Sequence, residues 1–236
     1  MVDSISGMTR LEVITAALFP IGYKSAQITG ELKTHAEKLF DEIMLEICGA
    51  YDWRFLRTSA TISLSQGVTS YNFQSNSIYV DQLDSVWITT AGSAKRVYKD
   101  SYTSFKADDP EGTETGTPQY YSEWGNQLIT FDKITNTSYS GLVLYKQLPQ
   151  MVTADGSYSI IPRQYQHIHV RGIRWRFAAD KGDRRLTTFK TDYDEALARA
   201  ISKEQQELES EAYYDKGDEI GVGSSNLNDH MRYWFR

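Results

Sequence analysis

Four histidines, one cysteine and 31 carboxylates are the raw material this sequence offers for chemistry. His167 and His169 stand two apart in a segment expected to be helical, so they point to nearly opposite sides and cannot share a metal. His35 and His230 lie far away in different contexts, and all four read as isolated surface or interface histidines. Cys48 has no base partner in view and reads as a small apolar core residue. With one cysteine, an intrachain disulfide is impossible and a structural zinc site of cysteine type is excluded. There is no Gly-x-Ser-x-Gly nucleophile turn and no Gly-x-x-x-x-Gly-Lys phosphate loop, and Gly217–Gly223 follows no strand of the required kind. No catalytic residue, metal or cofactor is therefore expected. A glycosidase pair leaves no spacing to recognise. The best candidate of that kind is Glu123 beside Trp124, with Asp132, because aromatic rings stack sugars. Against it stands a solvated turn residue next to a core tryptophan.

The charged constellations point elsewhere. Arg163, Arg171, Arg174, Arg176, Lys181, Arg184 and Arg185 crowd one segment against only Asp180 and Asp183. They read as a face meeting phosphate, such as DNA lining a channel, as a face for an acidic partner, or as a solvated helix face. The next helix carries Asp192, Asp194, Glu195, Glu204, Glu207, Glu209 and Glu211. A basic helix followed by an acidic one is what head-to-tail association of identical subunits would use, since complementary fields align partners. The same acids could equally pair with those arginines in one copy. The last stretch, from Lys216 to Arg236, is rich in Gly, Ser and Asn until Met231, Tyr233, Trp234 and Phe235. Aromatic residues on a flexible leash suit docking into a partner, with the ordering entropy offset by apolar burial. The alternative is a tail folded back on its own core.

The elements that must position these residues follow from periodicity. Thr9-Arg10-Leu11-Glu12 reads as a capping box opening a short helix that Pro20 and Gly22 stop. Thr29 can cap the next, where Leu32, Ala36, Leu39, Ile43 and Ile47 share a face widened by Phe40 and Met44. An aromatic stop, Tyr51-Asp52-Trp53-Arg54-Phe55-Leu56, ends it. From Thr58 the period becomes two, with Ile62, Leu64, Tyr71, Phe73, Val80, Val86, Ile88 and Val97 reading as antiparallel strands. Tyr120, Ile129, Phe131 and Leu142–Tyr145 give further strands, and Glu111–Pro118 reads as an exposed mobile loop. Pro162 opens the basic helix, Gly182 ends it, and the acidic helix runs from about Arg185 to Asp215, polar nearly all round beyond Ile201. The expected fold is α+β. Residues 1–56 and 162–215 form a helical bundle, residues 57–161 an inserted antiparallel β-rich subdomain, and residues 216–236 an extended docking tail.

At 236 residues the chain holds one good-sized domain or two small ones. A net charge of −6 argues against a protein that coats nucleic acid. No apolar run approaches the roughly 20 residues that cross a bilayer, and the opening does not read as a secretory leader. The chain is expected to stay in a reducing cytosol until it is built into something.

Several runs together carry a resemblance: Glu12-Val13-Ile14 with Ile21-Gly22, the long helix ending near Trp53, Pro118-Gln119-Tyr120-Tyr121, Leu144-Tyr145-Lys146-Gln147-Leu148-Pro149, and Ile161-Pro162 before two helices. In these the chain resembles the head-to-tail adaptor (connector) proteins of short-tailed bacteriophages, the group that includes tail tubular protein A. The resemblance implies a dodecameric ring in the virion neck, assembled in the host cytoplasm. It also implies a portal protein as one partner, tail, nozzle or tail-fibre proteins as another, and DNA passing without sequence specificity. In that setting Met231, Tyr233, Trp234 and Phe235 would bind the portal. Arg163, Arg171, Arg174, Arg176, Arg184 and Arg185 would meet neighbouring subunits or the DNA channel, and Asp192, Asp194, Glu204, Glu207 and Glu211 would form the acidic side of the subunit contact. The alternatives are a virion-associated cell-wall glycan hydrolase and a carbohydrate-binding module built on the aromatic strands.

Overall fold

The computed structural model describes residues 7–90, 93–109, 111–125 and 127–218, and it is mixed α+β. Its chain separates into two compact units. The first runs to Phe55 and resumes at Pro149, and the second is built on Leu56–Leu148.

In the first unit, α1 (Arg10–Leu18) begins as the spacing predicts. The Thr9 hydroxyl accepts from the Glu12 backbone N–H, and the Glu12 carboxylate accepts from the Thr9 N–H at 2.7 Å. These bonds, the backbone one first, hold the Glu12 carboxyl below its ordinary range. Helix α2 (Gly30–Ala50) buries Ala36, Leu39, Phe40, Ile43, Met44, Ile47 and Cys48, the stripe its sequence marks. Thr29 stands at its cap position without a side-chain bond. Past its end, the Trp53 indole N–H donates to the Ile47 carbonyl at 2.6 Å and satisfies one of the orphan acceptors of the last turn. Helix α4 (Gln166–Asp180) packs against α1, α2 and α5 (Leu186–Asp218). It buries Ile168, His169, Val170, Gly172, Ile173, Phe177 and Ala178, because a helix contacted on several sides must be apolar on several sides.

Residues 149–161, expected with the strands, lie with the helices instead. Arg10 N–H donates to the Ser157 carbonyl at 2.9 Å, and Leu11 N–H to the Asp155 carbonyl at 3.2 Å. Lys33 meets Asp155 at 2.6 Å, and Val152 and Ile161 are buried. This stretch supplies acceptors to the first turn of α1, a long-range use that no local pattern announces.

The second unit is a seven-stranded sheet in the order β1 (Arg57–Leu64), β9 (Tyr139–Gln147), β3 (Val80–Thr90), β4 (Ser93–Lys99), β6 (Tyr120–Trp124), β7 (Leu128–Phe131), β2 (Ser70–Asn72). Its core is Ile62, Leu64, Phe73, Val86, Ile88, Val97, Tyr121, Ile129, Phe131 and Val143, the inward positions of a period of two. The sheet is not wholly antiparallel as expected, since β4 and β6 run parallel. The connection between them is no tight turn: it carries α3 (Tyr102–Asp108) and β5 (Thr115–Gly116), and a crossover of that length permits parallel pairing. Strand β5 pairs with β8 (Ile134–Thr135), so the segment 111–118 is anchored rather than the free loop expected. Lys133 meets Glu114 at 2.5 Å, the Asp109 carboxylate accepts from the N–H groups of Gly112 and Glu114, and Pro118 is buried.

Candidate functional site

The arginines of the basic segment do not form one free face. Arg174 donates to the carbonyls of Ala17 and Ala16 at 3.4 and 3.5 Å, at the C-terminal end of α1, and lies 5.7 Å from the centre of the Phe189 ring. Burial pushes its guanidinium pKa down. Arg185 donates to the Pro20 carbonyl at 3.0 Å, meets Asp183 at 2.8 Å and lies over the same Phe189 ring at 5.2 Å. The bonds from the Arg185 side chain and backbone hold Asp183 down at about 2. Arg176 pairs with Glu46 at 3.0 Å and stacks on Trp175 at 4.3 Å. Arg171 donates to the Asp192 carbonyl at 3.2 Å. Four of the six arginines thus fasten α4 and its flank to α1, α2 and α5. Arg163 and Arg184 are exposed, and neither makes an ion pair among the described residues. Arg163 stands at an open groove of about 960 Å³ whose walls include Leu11, Phe19 and Tyr158.

The acids divide as well. Asp192 is exposed, Asp194 pairs with Lys190 at 2.6 Å, and Glu195 with Arg199 at 2.6 Å, each pair one helical turn apart. Glu204, expected on an acidic outer face, is turned inward and 2% exposed. Its carboxylate accepts from Arg54 at 2.9 Å and from the Tyr165 hydroxyl at 2.6 Å, while Glu207 also pairs with Arg54. Burial first, and then the bond to Glu204, pushes the Tyr165 hydroxyl pKa up. The reason lies in the stripe of α5. Its buried positions Phe189, Tyr193, Ala196 and Ala200 step by three and four, and the next step falls on Glu204. An acid on that step, facing an arginine set between Trp53 and Phe55, is the signal that could have revealed this cluster. The side chain of Glu211 and all of Met231, Tyr233, Trp234 and Phe235 lie outside the described residues.

Two further groups escape sequence reasoning. Arg10 is buried, lies 3.4 Å from Glu37 and 3.6 Å from Asp41, and sits over the Phe40 ring at 5.8 Å. His169 is fully buried, not at the surface as expected. Its Nε2 donates to the Phe40 carbonyl at 2.8 Å, and Nδ1 has no partner among the described residues. Burial depresses its pKa to about 4. His167 is exposed, with Nδ1 2.9 Å from the Gln164 carbonyl, so the two rings do point apart.

The candidate carboxylate pair does not assemble. Tyr121 stands opposite Phe131 and Glu123 opposite Ile129, which places Glu123 on the core side of the sheet. Asp132 N–H donates to the Tyr120 carbonyl, so Asp132 is in register with the outward-facing Tyr120. Glu123 pairs with Lys99 at 3.0 Å and Asp132 accepts from the Gln119 N–H at 3.0 Å. Carboxylates on opposite faces of a strand pair cannot flank one glycosidic bond. Among the described residues no three metal-ligating side chains cluster, and no helix is long and apolar enough to cross a membrane.

What the described surface does offer is length. Helix α5 has 33 residues, about 50 Å at 1.5 Å per residue, whereas the 15 residues of α4 cover about 22 Å. Beyond Glu204 it presents Gln205, Gln206, Leu208 and Glu209 to solvent.

No curated protein matches the chain. The family described as SU10 adaptor protein matches residues 8–216. That match takes in both units and nearly all of the described secondary structure, and the chain therefore belongs to the SU10 adaptor protein family of phage structural adaptors.

Proposed function

We propose that this protein is the head-to-tail adaptor of a bacteriophage neck, forming a ring, dodecameric by resemblance, between the portal and the tail or nozzle proteins, around the path of the DNA. The observation that carries the reading is α5, whose distal half is helical without an apolar stripe to bury. A cyclic ring needs heterologous contacts, in which one patch meets a different patch on the next copy. An exposed polar stretch of α5 and exposed Arg163 and Arg184 elsewhere on the chain suit that geometry. Arg163 and Arg184, which no carboxylate among the described residues neutralises, are the arginines left for a neighbour or for passing DNA. Glu207 is engaged by Arg54, so Asp192 and Glu211 are assigned to the acidic side. Met231, Tyr233, Trp234 and Phe235 are assigned to the portal, where aromatic side chains would supply most of the binding energy. The role is structural, as membership of an adaptor family suggests. Deleting Gly221–Arg236 tests the portal assignment. Co-sedimentation of the shortened protein with portal rings is expected to fall at least about tenfold in affinity, and unchanged co-sedimentation removes the assignment.

A further inference from the structure

The outer face of the second unit carries an unusual set of exposed side chains. Tyr98 and Tyr120 are direct partners across the parallel β4–β6 pair and are 58% and 41% exposed. Trp124, four residues along β6 and so on the same face, is 51% exposed with its ring edge packed on Tyr102. Arg96, two residues before Tyr98, holds its guanidinium 5.9 Å from the centre of the Tyr98 ring. It has no carboxylate partner among the described residues. The opposite face of these strands is core, through Val97, Tyr121, Ile129 and Phe131. Tyr, Trp and Arg are the residue types that dominate binding energy at protein interfaces, because they combine wide apolar area with a polar or charged end.

We propose that this face receives the exposed stretch of α5 at residues 205–209 from a second copy of the chain. The argument is complementarity of charge and of apolar surface. Most acids of α5 are paired within the chain, but Glu209 is exposed, and four arginines of the basic segment are already spent within their own chain. Arg96 is a cation that remains, set among aromatic rings. On α5, Leu208 is 38% exposed and Glu209 lies beside it without an ion pair among the described residues. Leu208 and Glu209, about 100° apart around the helix, offer an apolar edge for the aromatic rings and an acid for Arg96. The contact is heterologous, since a sheet face on one copy meets a helix on the next, and repetition of it closes a ring or extends a filament.

The inference rests on the reading that copies of this chain associate, and the test separates the two. Full-length protein is followed by sedimentation velocity over a concentration series, alone and with portal rings. Arg96→Glu is expected to weaken self-association at least about tenfold, and Tyr98→Ala together with Trp124→Ala by a similar factor. These side chains are exposed, so thermal midpoints should match the wild type. Combining Arg96→Glu with Glu209→Arg restores opposite charges across the contact and should recover most of the lost association. Three results overturn the proposal: Arg96→Glu assembling like the wild type, a charge reversal that rescues nothing, or loss of portal attachment with self-association intact. A wild-type protein that stays monomeric at every concentration, with and without portal, instead sinks the ring itself.

Discussion

Burying Glu204 costs its hydration, and the chain offsets that cost with two short charge-assisted bonds, from Arg54 and from the Tyr165 hydroxyl. The trio joins the turn after α2, the start of α4 and the middle of α5 at one point. Removing the acid leaves Arg54 without its inner partner and the Tyr165 hydroxyl without an acceptor. Glu204→Ala should therefore lower the free energy of unfolding by roughly 2–4 kcal/mol, read by urea denaturation. A loss below about 0.5 kcal/mol, the usual size for a surface site, would contradict the buried geometry. His169 makes a second residue-scale statement. Its Nε2–H donates to the Phe40 carbonyl, so a proton added at Nδ1 would be buried with nothing to accept it. The native pKa lies below the unfolded one, near 4 against 6.5, so between those values the unfolded chain binds more protons. The contribution is whole above about pH 6.5 and lost as the pH falls toward 4, on the order of 3 kcal/mol in all. His169→Gln should flatten the slope of stability against pH in that window, and an unchanged slope would show that other groups supply it.

At the scale of elements, Gly172 sets how closely three helices approach. A Cβ there would sit 2.4 Å from Cγ2 of Ile43 and 3.0 Å from the Tyr193 ring, and both neighbours are fully packed. Gly172→Ala gains about 1 kcal/mol of helix propensity. It also overpacks a rigid contact, which typically costs 1–3 kcal/mol. The clash should win because Ile43 has no free space to move into, so the variant is expected to melt several degrees lower. A higher melting point would mean that α2 and α4 can slide apart. Elements governed by neighbours in the chain were legible in the sequence, and those governed by distant partners were not. The capping box of Thr9 and Glu12 acts over three residues, and the stripe of α2 and the alternation of Ile62 and Leu64 are equally local. By contrast, the parallel pairing of Tyr98 with Tyr120 depends on the path taken by the intervening segment. The transfer of residues 149–161 to the helices depends on orphan N–H groups in α1 more than a hundred positions away. The candidate surfaces follow the same division. The arginines were visible as a cluster, but which carbonyls and rings would occupy them was a question of packing. Glu204 stood on an apolar step that could have been noticed.

For the whole molecule, the two units offer different surfaces. The helical unit uses Arg171, Arg174, Arg176 and Arg185 internally and presents Gln205, Gln206, Leu208 and Glu209 of α5 to solvent. The sheet unit exposes aromatic rings beside an unneutralised arginine. The family match takes in both units. The central claim is association into a ring, and negative-stain electron microscopy of the purified protein, with and without portal rings, tests it most directly. Annular particles with a central opening, free or stacked on the portal, are the predicted result. Isolated particles of single-chain mass under both conditions would contradict it.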